Sequence, residues 1–171
     1  MIRLWTNVQY RTFVQFGEGE VETVKQRGIL HPGLLDLIAS AGHGDVIVLT
    51  DAGLRVPKGA RRIDLAVTCG VPTIVDVVRA MNEELVIEAA TVATEFSEWN
   101  PEVYAATIAV LPVTPDERPH QELMDDMAQR AFAYVKTGEC SAYASVALVC
   151  GVNYLEEAIE LYEQLHGRPP G

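Results

Sequence analysis

The sequence predicts an α/β domain on a mostly parallel sheet, and two observations carry that prediction. Apolar runs rich in β-branched residues alternate along the chain with segments whose apolar positions recur at helical spacing. The clearest of these runs, residues 46–49, is continuous and not alternating, as suits a strand covered on both faces. With 171 residues, 49% of them hydrophobic, the chain is long enough for one compact domain and is read as one.

The elements follow in order. Residues 4–16 alternate loosely, with Leu4, Val8, Tyr10, Val14 and Phe16 on one side, and end at Gly17-Glu18-Gly19, which predicts an added strand or hairpin. Pro32 near a start, then Leu34, Leu35, Leu37, Ile38 and Ala41, predict a helix that Gly42 ends. A strand is expected over 45–50, a second over 63–67, a helix over 72–81 after the turn at Gly70, and a third strand over 86–93. Asn100-Pro101 breaks the chain, and residues 107–113 predict a fourth strand. The polar loop 114–119 leads to a helix expected over 120–136, with Gly138 as its cap. Residues 144–150 supply a last strand. Leu155, Ala158, Ile159, Tyr162 and Leu165 mark an amphipathic terminal helix ending at Gly167.

The charge balance excludes several partners. A formal net charge of −11 leaves no basic stripe to neutralise phosphates, so neither nucleic acid nor an anionic membrane surface is expected, and the ligand is expected to be small and neutral or cationic. No stretch approaches the roughly 18–20 apolar residues of a membrane span, and the first residues lack a signal-peptide apolar core, so the chain reads as cytoplasmic. Cys69, Cys140 and Cys150 are odd in number without CxxC spacing, which predicts reduced, buried thiols and no zinc site. Neither GxGxxG nor GxxxxGK[ST] occurs, and HExxH, HxxxH and GxSxG are missing too, so no nucleotide cofactor and no metal is expected.

One segment does suggest chemistry. Residues 42–57, GHGDVIVLTDAGLRVP, place His43 and Asp51 at the two ends of one strand. Asp51 falls at the carboxyl end, where open α/β sheets bind small ligands, although Asp51-Ala52-Gly53 also reads as a plain turn. His43 lies in a Gly-His-Gly-Asp turn where flanking glycines let backbone and ligand approach closely. The pair would share one ligand only if loops fold over or if two subunits meet. His31 reads as a helix-start residue, His166 as a last-turn residue favoured by the helix dipole, and His120 as the start of a helix. Glu139 and Tyr143 are weak signals taken singly.

Together GHGD, DAGL, VPKGARRIDLAVTCGVPT, NEELVIEAA, NP and TGECSAYAS with its following apolar strand resemble the D-ribose pyranase and L-fucose mutarotase family, in order and spacing, over about residues 25–153. The stretch 57–73 is similar to the ribose branch, and AQRAFAYVKTGE also to the fucose branch. The resemblance implies a three-layer Rossmann-like sandwich of the ribose pyranase type, flanked by an N-terminal extension 1–24 and a C-terminal helical extension 154–171. It implies a cofactor-free isomerase that interconverts ring forms and anomers of a monosaccharide, assembled as a ring-shaped pentamer or decamer with sites at subunit boundaries. It assigns the proton donor to His43 and sugar binding to Asp51, His120, Tyr143, Ala144 and Ser145. Against the family pattern, Ser145 replaces an asparagine and Arg55 a proline. His120 stands one residue farther from Gly138 than expected, which leaves Gln121 as the competing position. Arg55 suggests a carboxylate or phosphate on the sugar as a further reading.

Overall fold

The computed structural model describes residues 27–168. The hairpin expected at 4–16 lies outside them, as does the whole extension 1–24. Among the described residues six strands form one sheet: β1 (Val46–Thr50), β2 (Arg62–Asp64), β3 (Ile87–Ala93), β4 (Asp116–Arg118), β5 (Ala131–Lys136) and β6 (Val146–Cys150), in the order β2-β5-β1-β6-β3-β4. Only β6 runs antiparallel to its neighbours β1 and β3; the other pairings are parallel. The helices are α1 (Pro32–Ser40), α2 (Ile74–Asn82), α3 (Thr94–Trp99), α4 (Pro101–Ile108), α5 (His120–Arg130) and α6 (Leu155–His166).

All five residues of β1 are buried, so the centre of the sheet is covered on both faces, as the unbroken apolar run requires. Helix α2 contributes Ile74, Val77, Val78 and Met81, one stripe at helical spacing. Its start is fixed by a capping box. Thr73 Oγ1 accepts from Asp76 N, and the Asp76 carboxylate accepts from both Thr73 N and the Thr73 hydroxyl. The Thr73 hydroxyl, more than Arg79, holds the Asp76 carboxyl below its usual range. A depressed carboxyl favours the folded state above the ordinary carboxylate range and loses that contribution as pH falls through it. Thr73→Ala is expected to cost about 1 kcal/mol at neutral pH, and urea unfolding should show the difference from the parent shrinking in acid.

Two expectations need correction. Residues 107–113 are not a strand: α4 runs to Ile108 and a turn follows, because Pro101 starts a helix and Thr107 is held in it by its hydroxyl donating to Val103 O. The helix expected over 120–136 stops at Arg130, and Ala131–Lys136 is β5, lying between β2 and β1. The short helix α3 was not foreseen. The helix at 155–166 is present as α6, with Leu161 and Leu165 exposed.

The cysteines are also corrected. Cys69 and Cys140, both exposed, are joined in a disulfide, Cα atoms 5.7 Å apart, and Cys150 alone is a buried thiol. Burial, then the nearby Asp45 and Glu88 carboxylates, push the Cys150 thiol up to about 11. Native protein in this oxidised form should show no fast-reacting thiol towards an aromatic disulfide reagent. Unfolding without reductant should release one, and unfolding with reductant three, in line with the three cysteines of the chain.

Candidate active site

The parallel strands β1, β3, β4 and β5 all point their carboxyl ends to one edge of the sheet, and antiparallel β6 starts from that same edge. Topology therefore gathers there the residue after β1, the loop between β5 and β6, helix α3 after β3 and the start of α5 after β4. These positions hold Asp51, Tyr143, Ala144, Ser145 and His120. The edge binds ligands in α/β sheets because strand ends and loops leave a crevice there.

Local hydrogen bonds fix each loop. Asp51 Oδ1 accepts from Gly53 N at 2.7 Å, so the aspartate does form a turn, while Oδ2 has no partner among the described residues. Ala52 N donates to Glu139 O at 2.8 Å, joining the Asp51 loop to the turn after β5. There the buried Glu139 carboxylate accepts from Cys140 N and Ser141 N, both at 3.0 Å. Asn100 Nδ2 ties the α3–α4 junction to Ala142 O at 2.7 Å. Tyr143 has φ 64°, a left-handed conformation that a bulky residue adopts at a cost of about 1–3 kcal/mol and that clusters at functional sites. Ser145 N donates to Tyr143 O at 2.7 Å, holding this bend, and the Ala144 N–H is committed to Ser141 O.

The rings of His120 and Trp99 both meet Tyr143 edge-on, with centroids 5.0 and 5.3 Å away. His120 is positioned by its own N–H, which donates to Glu95 Oε2 on α3 at 2.8 Å. Gln121 is exposed and bonds Asp125 instead. Between His120 and Gly138 the strand β5 is irregular: Val46 pairs with Ala131 and Ile47 with Ala133, so Phe132 is the extra residue of a β-bulge. Two buried polar atoms here, His120 Nδ1 and Ser145 Oγ, have no partner among the described residues. Each such orphan costs about 1–3 kcal/mol, which a hydroxyl-rich ligand would offset.

His43 is elsewhere. Its loop precedes β1 at the opposite edge, pinned by Gly42 N to Asp45 Oδ2 at 2.8 Å and by Gly44 N to Cys150 O at 2.8 Å. Its Nε2 lies 2.9 Å from Glu88 Oε2. The five residues of β1 separate His43 from Asp51, about 13 Å of strand, so one chain does not bring them together. Of the other histidines, His31 caps α1 by accepting from Leu34 N, and His166 stacks on Tyr162 in the last turn of α6. Arg55 is exposed and has no partner among the described residues. Glu88 and Trp99 escaped sequence reasoning. Glu88 lies within NEELVIEAA and Trp99 beside Asn100-Pro101, but neither has a motif of its own.

Comparison with known proteins decides the family. The model of the RbsD / FucU transport protein family matches residues 24–153. The chain belongs to this family. Among its relatives, a D-ribose pyranase of Paracidovorax citrulli is 44% identical over 131 residues, 77% of this chain and all of that protein. A D-ribose pyranase of Symbiobacterium thermophilum is 42% identical over the same share of each. The structure of Bacillus subtilis RbsD complexed with D-ribose superposes with a TM-score of 0.70 at 33% identity, covering 75% of this chain and 98% of that one. The RbsD / FucU match ends at Asn153, so α6 lies beyond it. Among the described residues no helix is long and apolar enough to cross a membrane.

Proposed function

We propose that this chain is an isomerase that interconverts pyranose and furanose forms, and anomers, of an aldose such as D-ribose, without a cofactor. The observation that supports it best is the convergence of Asp51, His120, Tyr143 and Ser145 on one strand edge in a chain whose relatives are D-ribose pyranases. Opening a cyclic sugar breaks the bond between C1 and the ring oxygen. The anomeric hydroxyl gives up its proton, the ring oxygen gains one, and closure by another hydroxyl reverses the exchange. His43, in this reading, takes and returns that proton, a contribution of about 10²–10⁴-fold. Asp51 Oδ2 accepts from sugar hydroxyls, Tyr143 and His120 wall the ring, and Ser145 with the Ala144 backbone completes the pocket. The separation of His43 from Asp51 supports a ring-shaped pentamer or decamer in which one subunit lends His43 to its neighbour's edge. A cytoplasmic site of action, with a free monosaccharide and neither nucleic acid nor membrane as partner, belongs to the same reading. Reducing conditions there would open the exposed Cys69–Cys140 bond.

NMR magnetisation transfer between the anomeric protons of ribose, and separately of fucose, tests this. Protein-dependent acceleration with ribose supports a pyranase, and a faster rate with fucose would move the assignment to the mutarotase branch. Sugar binding without acceleration would overturn the enzyme reading in favour of a binding or regulatory protein. If neither sugar binds, acidic or phosphorylated sugars opposite Arg55 become the reading to test.

A further inference from the structure

We propose that Glu88 is a positioning residue that fixes the tautomer of His43, so that Nδ1 and not Nε2 exchanges the proton with the sugar. The inference rests on the reading of His43 as the acid–base group. A carboxylate offers only acceptors, so the 2.9 Å contact from Glu88 Oε2 to His43 Nε2 requires the proton on Nε2. In the neutral ring the lone pair then sits on Nδ1, which has no partner among the described residues.

Two features of the backbone are arranged around this contact. Ile87 pairs with Cys150 and Ala89 with Val149, so Glu88 is the extra residue of a β-bulge in β3. Bulges re-aim a side chain away from the regular pleat, and here the re-aimed side chain meets the Gly-His-Gly-Asp loop. Gly151, just after β6, leaves the necessary room. A Cβ there would stand 3.1 Å from Glu88 Cβ and 3.3 Å from Glu88 Oε2. The other carboxylate of the loop, Asp45, is occupied with Gly42 N and holds the backbone that carries His43. One residue thus fixes the loop and the other orients the ring.

The chemistry explains why one nitrogen suffices. The anomeric oxygen and the ring oxygen are bonded to the same carbon, within reach of a single ring nitrogen. Nδ1 takes the anomeric hydroxyl proton as the C1=O bond forms and the bond from C1 to the ring oxygen breaks. The imidazolium then returns the proton to the ring oxygen, leaving histidine as it began. Glu88 stabilises the transient cation and prevents the ring from presenting Nε2 instead.

The test is a two-bond proton–nitrogen correlation spectrum of the ¹⁵N-labelled full chain, with the His43 ring assigned by its loss in His43→Ala. The protonated Nε2 pattern is expected in the parent, and mixed tautomers in Glu88→Gln, whose amide can donate as well as accept. In the exchange assay Glu88→Gln should lower kcat by about 10–100-fold with little change in KM, and Glu88→Asp should recover part of the loss. Gly151→Ala, whose added Cβ crowds Glu88 and Val86, should disturb the same spectrum. A protonated Nδ1 in the parent would overturn the proposal, as would parental kcat in Glu88→Gln while His43→Ala is inactive. Exchange surviving in His43→Ala would instead bring down the acid–base reading and this inference with it.

Discussion

Mixed assemblies of His43→Ala and Asp51→Ala subunits are expected to regain sugar exchange that neither variant shows alone. His43 and Asp51 sit at opposite edges of one sheet, with the five buried residues of β1 between them. A small sugar cannot touch both within a chain, so a site that uses both takes them from two subunits. Each variant alone leaves every site with a lesion. In assemblies formed at random from equal amounts, about a quarter of sites pair an intact His43 with an intact Asp51, and exchange should return to about that fraction. Both substitutions should fold. His43 is on an exposed loop, and Asp51→Ala removes one turn hydrogen bond, from Gly53 N, worth about 1 kcal/mol. The measurement is the NMR exchange rate after co-refolding, against each variant refolded alone. No recovery in assemblies shown to contain both subunits would mean that one chain supplies both residues, and exchange surviving in either variant alone would mean that its residue is not needed.

The sequence is legible where local signals and tertiary packing agree. The apolar run of β1, the stripe and cap of α2, and the Asp51 turn at the strand's carboxyl end are all visible in the residues, and the structure repeats them. Where the two disagree, packing wins. AFAYVK at 131–136 follows the polar α5 with no glycine or proline to mark the change, and a short apolar run of this kind reads equally as helix or strand. TIAVLPV at 107–113 has the β-branched look of a strand, yet Pro101 has already committed the chain to a helix. In the candidate site, Asp51, Tyr143 and Ser145 come from motifs, and His120 from a motif offset by one residue. Glu88 and Trp99 act through partners distant in sequence, His43 and Tyr143, so nothing local could identify them. The Cys69–Cys140 bond was illegible for the same reason: the cysteines are 71 residues apart and meet only because β5 ends on the turn before α2.

That meeting point yields the largest stability effect expected in the molecule. A Cβ at Gly138 would stand 2.4 Å from Val71 O and 2.6 Å from Thr68 O, both backbone atoms, so no side-chain rotation can relieve the clash. The contact is close because main chain docks on main chain. Gly138 N donates to Pro72 O at 2.8 Å and Gly70 N donates to Gly138 O at 2.6 Å. Gly138→Ala must push the turn at 68–72 away or displace the 137–140 segment, losing these bonds and the Ala52 N to Glu139 O link that holds the Asp51 loop. The expected cost is about 3–5 kcal/mol, and a drop in Tm of roughly 6–20 °C for a chain of this size. Gly44→Ala is the matched control. Its φ of +82° makes alanine strained, but no atom lies within 4 Å of the added Cβ, so a cost of only about 1–2 kcal/mol is expected. Calorimetry of the two variants separates steric closure from backbone strain. Equal losses would mean that the turn at 68–72 yields easily and does not brace the Asp51 loop. A much larger loss in Gly138→Ala, with sugar binding weakened in whatever protein remains folded, is the result that close docking demands.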